Sequence, residues 1–157
     1  MNNEISKYIV ETLTKRNKTM ATMESCTGGL IASTITNIDG ASEILKFSAI
    51  TYSNEYKVKM GVDRELIDKY SVYSMEVARN MALKISEFTK ADYGIGVTGK
   101  LGKEDLYNKI GNNIVYVAIY DNNKYYELEI KITCETKEQA KKIVVNQTLD
   151  LLKEVIG

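Results

Sequence analysis

No histidine occurs anywhere in the sequence. That absence removes Ser-His-Asp and Cys-His catalysis, imidazole acid–base chemistry and histidine-ligated metals together. Any nucleophile in this chain needs a different base. Proline is missing too, so turns must be built from Gly, Asn, Asp and Ser, and these residues mark the element boundaries. Cysteine is scarce: Cys26 and Cys134 lie far apart and match no metal-ligand spacing. Neither a disulfide framework nor a zinc cluster follows from them, and the expectation is two reduced thiols in a reducing compartment, with no metal. An excess of one charge is also lacking, since Lys+Arg 21 and Asp+Glu 21 give a formal net charge of +0. No sequence-wide field favours nucleic acid or an anionic membrane. Long apolar runs are absent, and the start of the chain, Met1 to Lys7, lacks the basic-then-apolar order of a secretory signal. The expected location is the cytoplasm.

What is present fits one domain over 1–157, because 157 residues with 44% hydrophobic content can bury a continuous core without staples. Ile5, Tyr8, Ile9 and Leu13 recur at helical spacing and predict a first helix ending near Arg16-Asn17. Thr19 to Glu24 reads as a short strand, which runs into Ser25-Cys26-Thr27-Gly28-Gly29 and then a helical stretch from Leu30 to Ile35. Ile44 to Tyr52 reads as a second strand, Ser53-Asn54 as the cap of a short helix carrying Lys57, and Asp63 as the start of another. Ser74 to about Thr89 is a long amphipathic helix with Val77, Met81, Ile85 and Phe88 on one face. Ala91 to Gly99 predicts a strand whose small residues suggest close packing. Ile114–Tyr120 and Tyr125–Thr133 form a β-hairpin with a slightly long connection over 121–124, and a last helix runs from Glu135-Thr136 to Val155. Strands alternating with helices predict an α/β fold, a mixed sheet covered on both faces, with a C-terminal hairpin followed by a long helix.

Ser25 sits where a strand hands over to a glycine-rich turn and a helix, a junction that exposes a side chain and directs unpaired N–H groups outward. Cys26, Thr27, Gly28 and Gly29 could supply an oxyanion hole there. Taken alone, the motif is more commonly a simple helix cap. A second segment, Tyr52-Ser53-Asn54-Glu55-Tyr56-Lys57, brings Tyr, Asn and Lys together. A neutral lysine can take a proton from serine if burial lowers its pKa, and a tyrosine hydroxyl can orient the pair. A lone lysine on a short helix more often faces water.

Together these segments resemble the C-terminal domain of CinA and the stand-alone nicotinamide-nucleotide amidohydrolases often called PncC. The match is Glu24-Ser25-Cys26-Thr27-Gly28-Gly29, then Tyr52 to Lys57 and Gly61-Val62. It continues through Val72-Tyr73-Ser74-Met75-Glu76-Val77-Ala78 with Met81-Ala82, and Gly96-Val97-Thr98-Gly99. The resemblance implies a three-layer α/β/α sandwich, a homodimer, and hydrolysis of the carboxamide of nicotinamide mononucleotide to nicotinate mononucleotide and ammonia without cofactor or metal. It implies Ser25 as nucleophile, Lys57 as proton shuttle and Tyr52 holding the pair, with Asn54, Thr98 and Gly99 lining the nucleotide pocket.

The chain departs from that family at three places. Phe47-Ser48 stands where glycines usually precede the Tyr-Ser-Asn segment. The loop after Thr98-Gly99 reads Lys100 to Tyr107 in place of Ala-Gly-Pro; its lysines, with Lys109, read as a solvated surface or as phosphate contacts. Aligning the last helix on Gln147-Thr148 sets Lys141 and Val145 at two family arginines, which predicts loss of one positive charge. A divergent amidohydrolase is thus the expectation, beside a non-catalytic mononucleotide-binding domain or an amidase for another small amide. Cys26 reads as packing, since it lacks an imidazole partner. Glu24 either bonds the turn or tunes Lys57. Tyr116, Tyr120, Tyr125 and Tyr126 read as sheet core or dimer surface rather than base-stacking groups.

Overall fold

The structure, a computed structural model, describes residues 3–102, 113–133 and 136–157. The elements run α1 (Asn3–Arg16), β1 (Met20–Glu24), α2 (Leu30–Thr36), a 3₁₀ turn (Ala41–Glu43), β2 (Leu45–Ile50), α3 (Asn54–Lys59), α4 (Arg64–Tyr70), α5 (Met75–Thr89), β3 (Tyr93–Gly99), β4 (Ile114–Asp121), β5 (Lys124–Lys131) and α6 (Lys137–Ile156). The five strands form one sheet in the order β2-β1-β3-β4-β5. β1 pairs parallel with β2 and β3, while β3–β4 and β4–β5 are antiparallel.

Strand alternation divides the core between two faces. Ile95, Val97, Val115, Val117 and Ile119 meet the apolar stripes of α1, α2 and α6. On the opposite face Ala21, Met23 and Ala49 meet Val77, Met81 and Ile85 of α5. Helices therefore cover both sides, giving the three layers expected. The small residues of β3 let α5 approach: a Cβ at Gly94 would lie 2.1 Å from the Ala82 carbonyl oxygen, and one at Gly96 would lie 2.3 Å from that of Ala78.

Two sequence expectations need correction. Asp121 pairs with Lys124, so the hairpin connection is only Asn122-Asn123, both at positive φ (47° and 66°). Asparagine tolerates that left-handed geometry, and two such residues suit the twist of the strands. Phe88 does not join the buried stripe of α5; it is 65% exposed and stacks at a tilt on Phe47 of the edge strand, ring centroids 5.7 Å apart. The hairpin tyrosines pack on the sheet: Tyr116 and Tyr120 lie against Ala78, Ala82 and Ala118, and Tyr126 lies against the larger cluster. Among the described residues no helix is long and apolar enough to cross a membrane.

Candidate active site

β1 and β2 run parallel and end together, which carries Ser25 and the Thr51–Lys57 segment to the same edge of the sheet. The Thr51 N–H donates to the Glu24 carbonyl at 2.8 Å and fixes that junction. Ser25 begins a tight turn in which the Gly28 N–H donates to the Ser25 carbonyl (3.0 Å) and the Leu30 N–H to that of Thr27 (3.1 Å). Gly28 and Gly29 both take positive φ (61° and 92°), the conformation that glycine adopts without strain.

Glu24, fully buried, explains how the turn is held. One carboxylate oxygen accepts from the Thr27 hydroxyl (2.7 Å) and the Ile31 N–H (3.0 Å), the other from the Ala32 N–H (3.0 Å) and the Thr22 hydroxyl (3.2 Å). The carboxylate thus satisfies the first free N–H groups of α2 and complements its dipole. Of the two readings left open for Glu24, bonding the turn is the one its contacts carry. Thr27, 1% exposed and donating to Glu24, offers no side chain to a ligand. Gly28 is likewise corrected as an oxyanion donor, because its N–H closes the turn. The N–H groups of Cys26 and Thr27 pair with no carbonyl among the described residues.

Lys57 enters from α3, whose N-cap Ser53 accepts from the Tyr56 N–H at 3.3 Å. The side chain turns inward and is 2% exposed. Its Nζ lies 3.0 Å from Ser25 Oγ and donates to the Thr51 carbonyl at 2.7 Å. Burial lowers the lysine pKa to about 8, opposed by a smaller influence of Cys26. A neutral amine with one N–H engaged by a carbonyl keeps its lone pair for the serine proton. Ser25 itself is 6% exposed at the wall of a cavity of about 210 Å³. Cys26 also lines the cavity, but burial pushes its thiol pKa up to about 12, so the sulfur stays protonated and inert.

Several expected site residues occupy other roles. Tyr52 is 69% exposed on the cavity wall and, among the described residues, bonds neither Ser25 nor Lys57. The group holding the amine is instead the Thr51 backbone carbonyl, which no side-chain pattern announces. Asn54 and Gly99 line the cavity. Thr98 does not; fully buried, its hydroxyl donates at 2.9 Å to the carbonyl of Val72, which does line it. Gly29 does not line the cavity either; a Cβ there would fall 2.9 Å from Ile50 Cδ1.

The cavity lining is also cationic. Lys100 follows β3, and Lys137 and Lys141 project from the first two turns of α6. A Cβ at Gly28 would meet the Lys141 Nζ at 3.3 Å, and one at Gly102 would meet the Lys137 Cε at 3.2 Å, so each lysine lies over a glycine. Although Val145 carries no charge, this helix still presents two cations to the cavity. Val145 is fully buried core, and the paired cations are Lys137 and Lys141. The signal was present in the sequence: Thr136 and Gln139 form a capping box that starts α6 at Lys137 and puts residues 137 and 141 on one face. Lys103, Lys109 and Cys134 lie outside the described residues.

The sequence model described as the CinA C-terminal domain matches residues 2–156. The chain belongs to this family. A CinA-like protein of Desulfovibrio desulfuricans is 35% identical over 152 residues, which are 95% of this chain and 36% of that protein. A Clostridium botulinum protein named for competence-damage inducibility is 38% identical over 152 residues, again 36% of its length. This CinA domain therefore spans little more than a third of these curated relatives. Among solved structures, the competence/damage inducible protein CihA of Agrobacterium tumefaciens superposes with a TM-score of 0.89 at 27% identity, covering 96% of this chain and 92% of that one. A CinA superfamily protein of Enterobacter cloacae has the same fold, with TM-score 0.92 at 20% identity, covering 99% of this chain and 92% of that one.

Proposed function

We propose that this CinA domain is an amidohydrolase that converts nicotinamide mononucleotide to nicotinate mononucleotide and ammonia through a Ser25–Lys57 acyl-enzyme. The observation that carries the reading is the buried contact of 3.0 Å between Ser25 Oγ and Lys57 Nζ, with the Thr51 carbonyl taking one N–H of the amine. The neutral lysine removes the serine proton as Oγ attacks the carboxamide carbon. The resulting oxyanion faces the N–H groups of Cys26 and Thr27. Lys57 then passes its proton to the departing nitrogen, the C–N bond breaks, and ammonia leaves an ester on Ser25. Water attacks that ester while Lys57 takes one of its protons; the proton returns to Ser25 as the carboxylate product departs. No step needs an imidazole.

The mononucleotide assignment draws on Lys100, Lys137 and Lys141, which line the same cavity and suit a phosphate monoester. Tyr52, Tyr73 and Val72 offer a partly apolar wall to a flat ring. The test is ammonia and nicotinate mononucleotide production by the purified chain with Ser25→Ala as control. Turnover above that control supports the reading, and its absence rejects it. Calorimetric binding of the nucleotide without turnover would point to a non-catalytic mononucleotide-binding domain. Turnover of other small amides in preference would replace the substrate.

A further inference from the structure

The Ser25–Lys57 pair leaves an unresolved count of hydrogen bonds. A neutral amine has two N–H groups and a lone pair; the Thr51 carbonyl takes one N–H at 2.7 Å and Ser25 meets the amine at 3.0 Å. Once Lys57 has accepted the serine proton it carries three N–H groups, at a position only 2% exposed. One still meets the Thr51 carbonyl and one the serine oxygen or the leaving nitrogen. The third needs an acceptor, because an unmatched donor on a buried cation is strongly unfavourable.

The charged and titratable groups around Lys57 do not provide it. The Glu24 oxygens already accept from Thr22, Thr27, Ile31 and Ala32. Cys26 is a protonated thiol held by burial. Tyr52, Tyr73 and Lys100 lie on the cavity walls, and Lys137 and Lys141 add positive charge from α6. The residue whose carbonyl the amine already touches, however, carries a group with the opposite deficit. Thr51 is 1% exposed, and its Oγ1 is one of two buried side-chain polar atoms among the described residues without a hydrogen-bond partner. Covalent geometry keeps that oxygen within about 5 Å of the Thr51 carbonyl oxygen that Lys57 already touches.

We propose that the Thr51 hydroxyl is a positioning residue that accepts the third N–H of Lys57 when the lysine becomes an ammonium. The orphan acceptor and the extra donor match only when the lysine is an ammonium, whether it is protonated from solvent or has taken the serine proton. Relative to the neutral amine that starts the reaction, the contact therefore favours the tetrahedral intermediate, which is the direction in which binding energy raises turnover. It also keeps the lysine basic enough to take the serine proton despite its burial. This role rests on the Ser25–Lys57 reading, but its physical core is a coupling between Thr51 and the lysine that needs no substrate to measure.

Thr51→Val retains the shape and deletes the hydroxyl, and Thr51→Ser returns it. The Lys57 titration is followed by NMR on protein carrying lysine labelled with ¹³C at Cε. Loss of the acceptor destabilises the ammonium, so Thr51→Val should move that titration down by about half to one pH unit, and Thr51→Ser should restore it. The unfolding temperature of Thr51→Val should not fall, because an unmatched buried hydroxyl has been removed. With nicotinamide mononucleotide, the plateau kcat should drop about tenfold at unchanged KM and recover with serine. An unshifted titration in Thr51→Val, a serine variant that behaves like the valine variant, or a lowered unfolding temperature in Thr51→Val would overturn the proposal. If the wild-type chain releases no ammonia while the titration still shifts and is restored, the amidohydrolase reading falls and the Thr51–Lys57 coupling stands.

Discussion

Lys57 shows how burial changes what a residue can do. An exposed ammonium is protonated throughout the neutral range, whereas desolvation brings this one down to about 8. Below that value the amine carries a proton and cannot accept another. The rate should therefore climb by about tenfold per pH unit as pH rises toward 8 and level off above it, as a kcat/KM profile would record. Lys57→Arg keeps the charge but cannot be deprotonated, so ammonia release should fall to the Ser25→Ala background. Lys137 belongs to the same scale, with a different signature. It is on the cavity wall, and among the described residues it has no ion-pair partner. Lys137→Ala should raise KM for the mononucleotide by about tenfold with little change in kcat, while leaving an uncharged riboside unaffected. Ser25 and Lys57 were legible as chemistry through the resemblance of the two segments that carry them, while the missing histidine excluded only an imidazole base. Thr51 was not, because its contribution begins with a backbone carbonyl, a group every residue carries.

Elements set where those side chains stand. α6 starts at Lys137 because Thr136 and Gln139 close a capping box. Thr136→Ala should lower stability by about 1 kcal/mol in denaturant titration and also raise KM, since the frayed turn is the one that presents Lys137. Close contact of α5 with β3 positions the opposite side. At Gly96 a Cβ would meet Ala78 O at 2.3 Å and Ala82 N at 2.6 Å, both rigid helix backbone. Gly96→Ala is therefore expected to destabilise the domain by upwards of about 3 kcal/mol, visible as a large fall in Tm. Helix periodicity and caps made most elements readable in advance, including α3 and α5. Phe88 escaped because its spacing continues the apolar stripe of α5, yet the residue is exposed and its ring meets that of Phe47 on the edge strand. The lysine pair on α6 escaped for a different reason: the family pattern singles out Lys141 and Val145, whereas the cap at Thr136 sets Lys137 and Lys141 on the cavity side and Val145 in the core.

For the molecule as a whole, equal numbers of positive and negative groups leave no net charge to steer an anion from a distance. Under the proposed function the attraction is local, from Lys100, Lys137 and Lys141 around one cavity. Added salt should therefore raise KM for the mononucleotide while kcat stays nearly constant, as initial rates between low and physiological ionic strength would register. An unchanged KM would remove the cationic wall from substrate capture. By itself, the order of residues determined the alternation of strands and helices, the layered α/β class and the kind of base available, because periodicity, caps and composition are local properties. Only the tertiary structure decided that Lys57 is buried against Ser25, that Glu24 is spent on the turn, and that Lys137 and Lys141 share the cavity. Those facts depend on which strand ends lie side by side and on how much water their packing excludes, quantities that no short stretch of sequence contains.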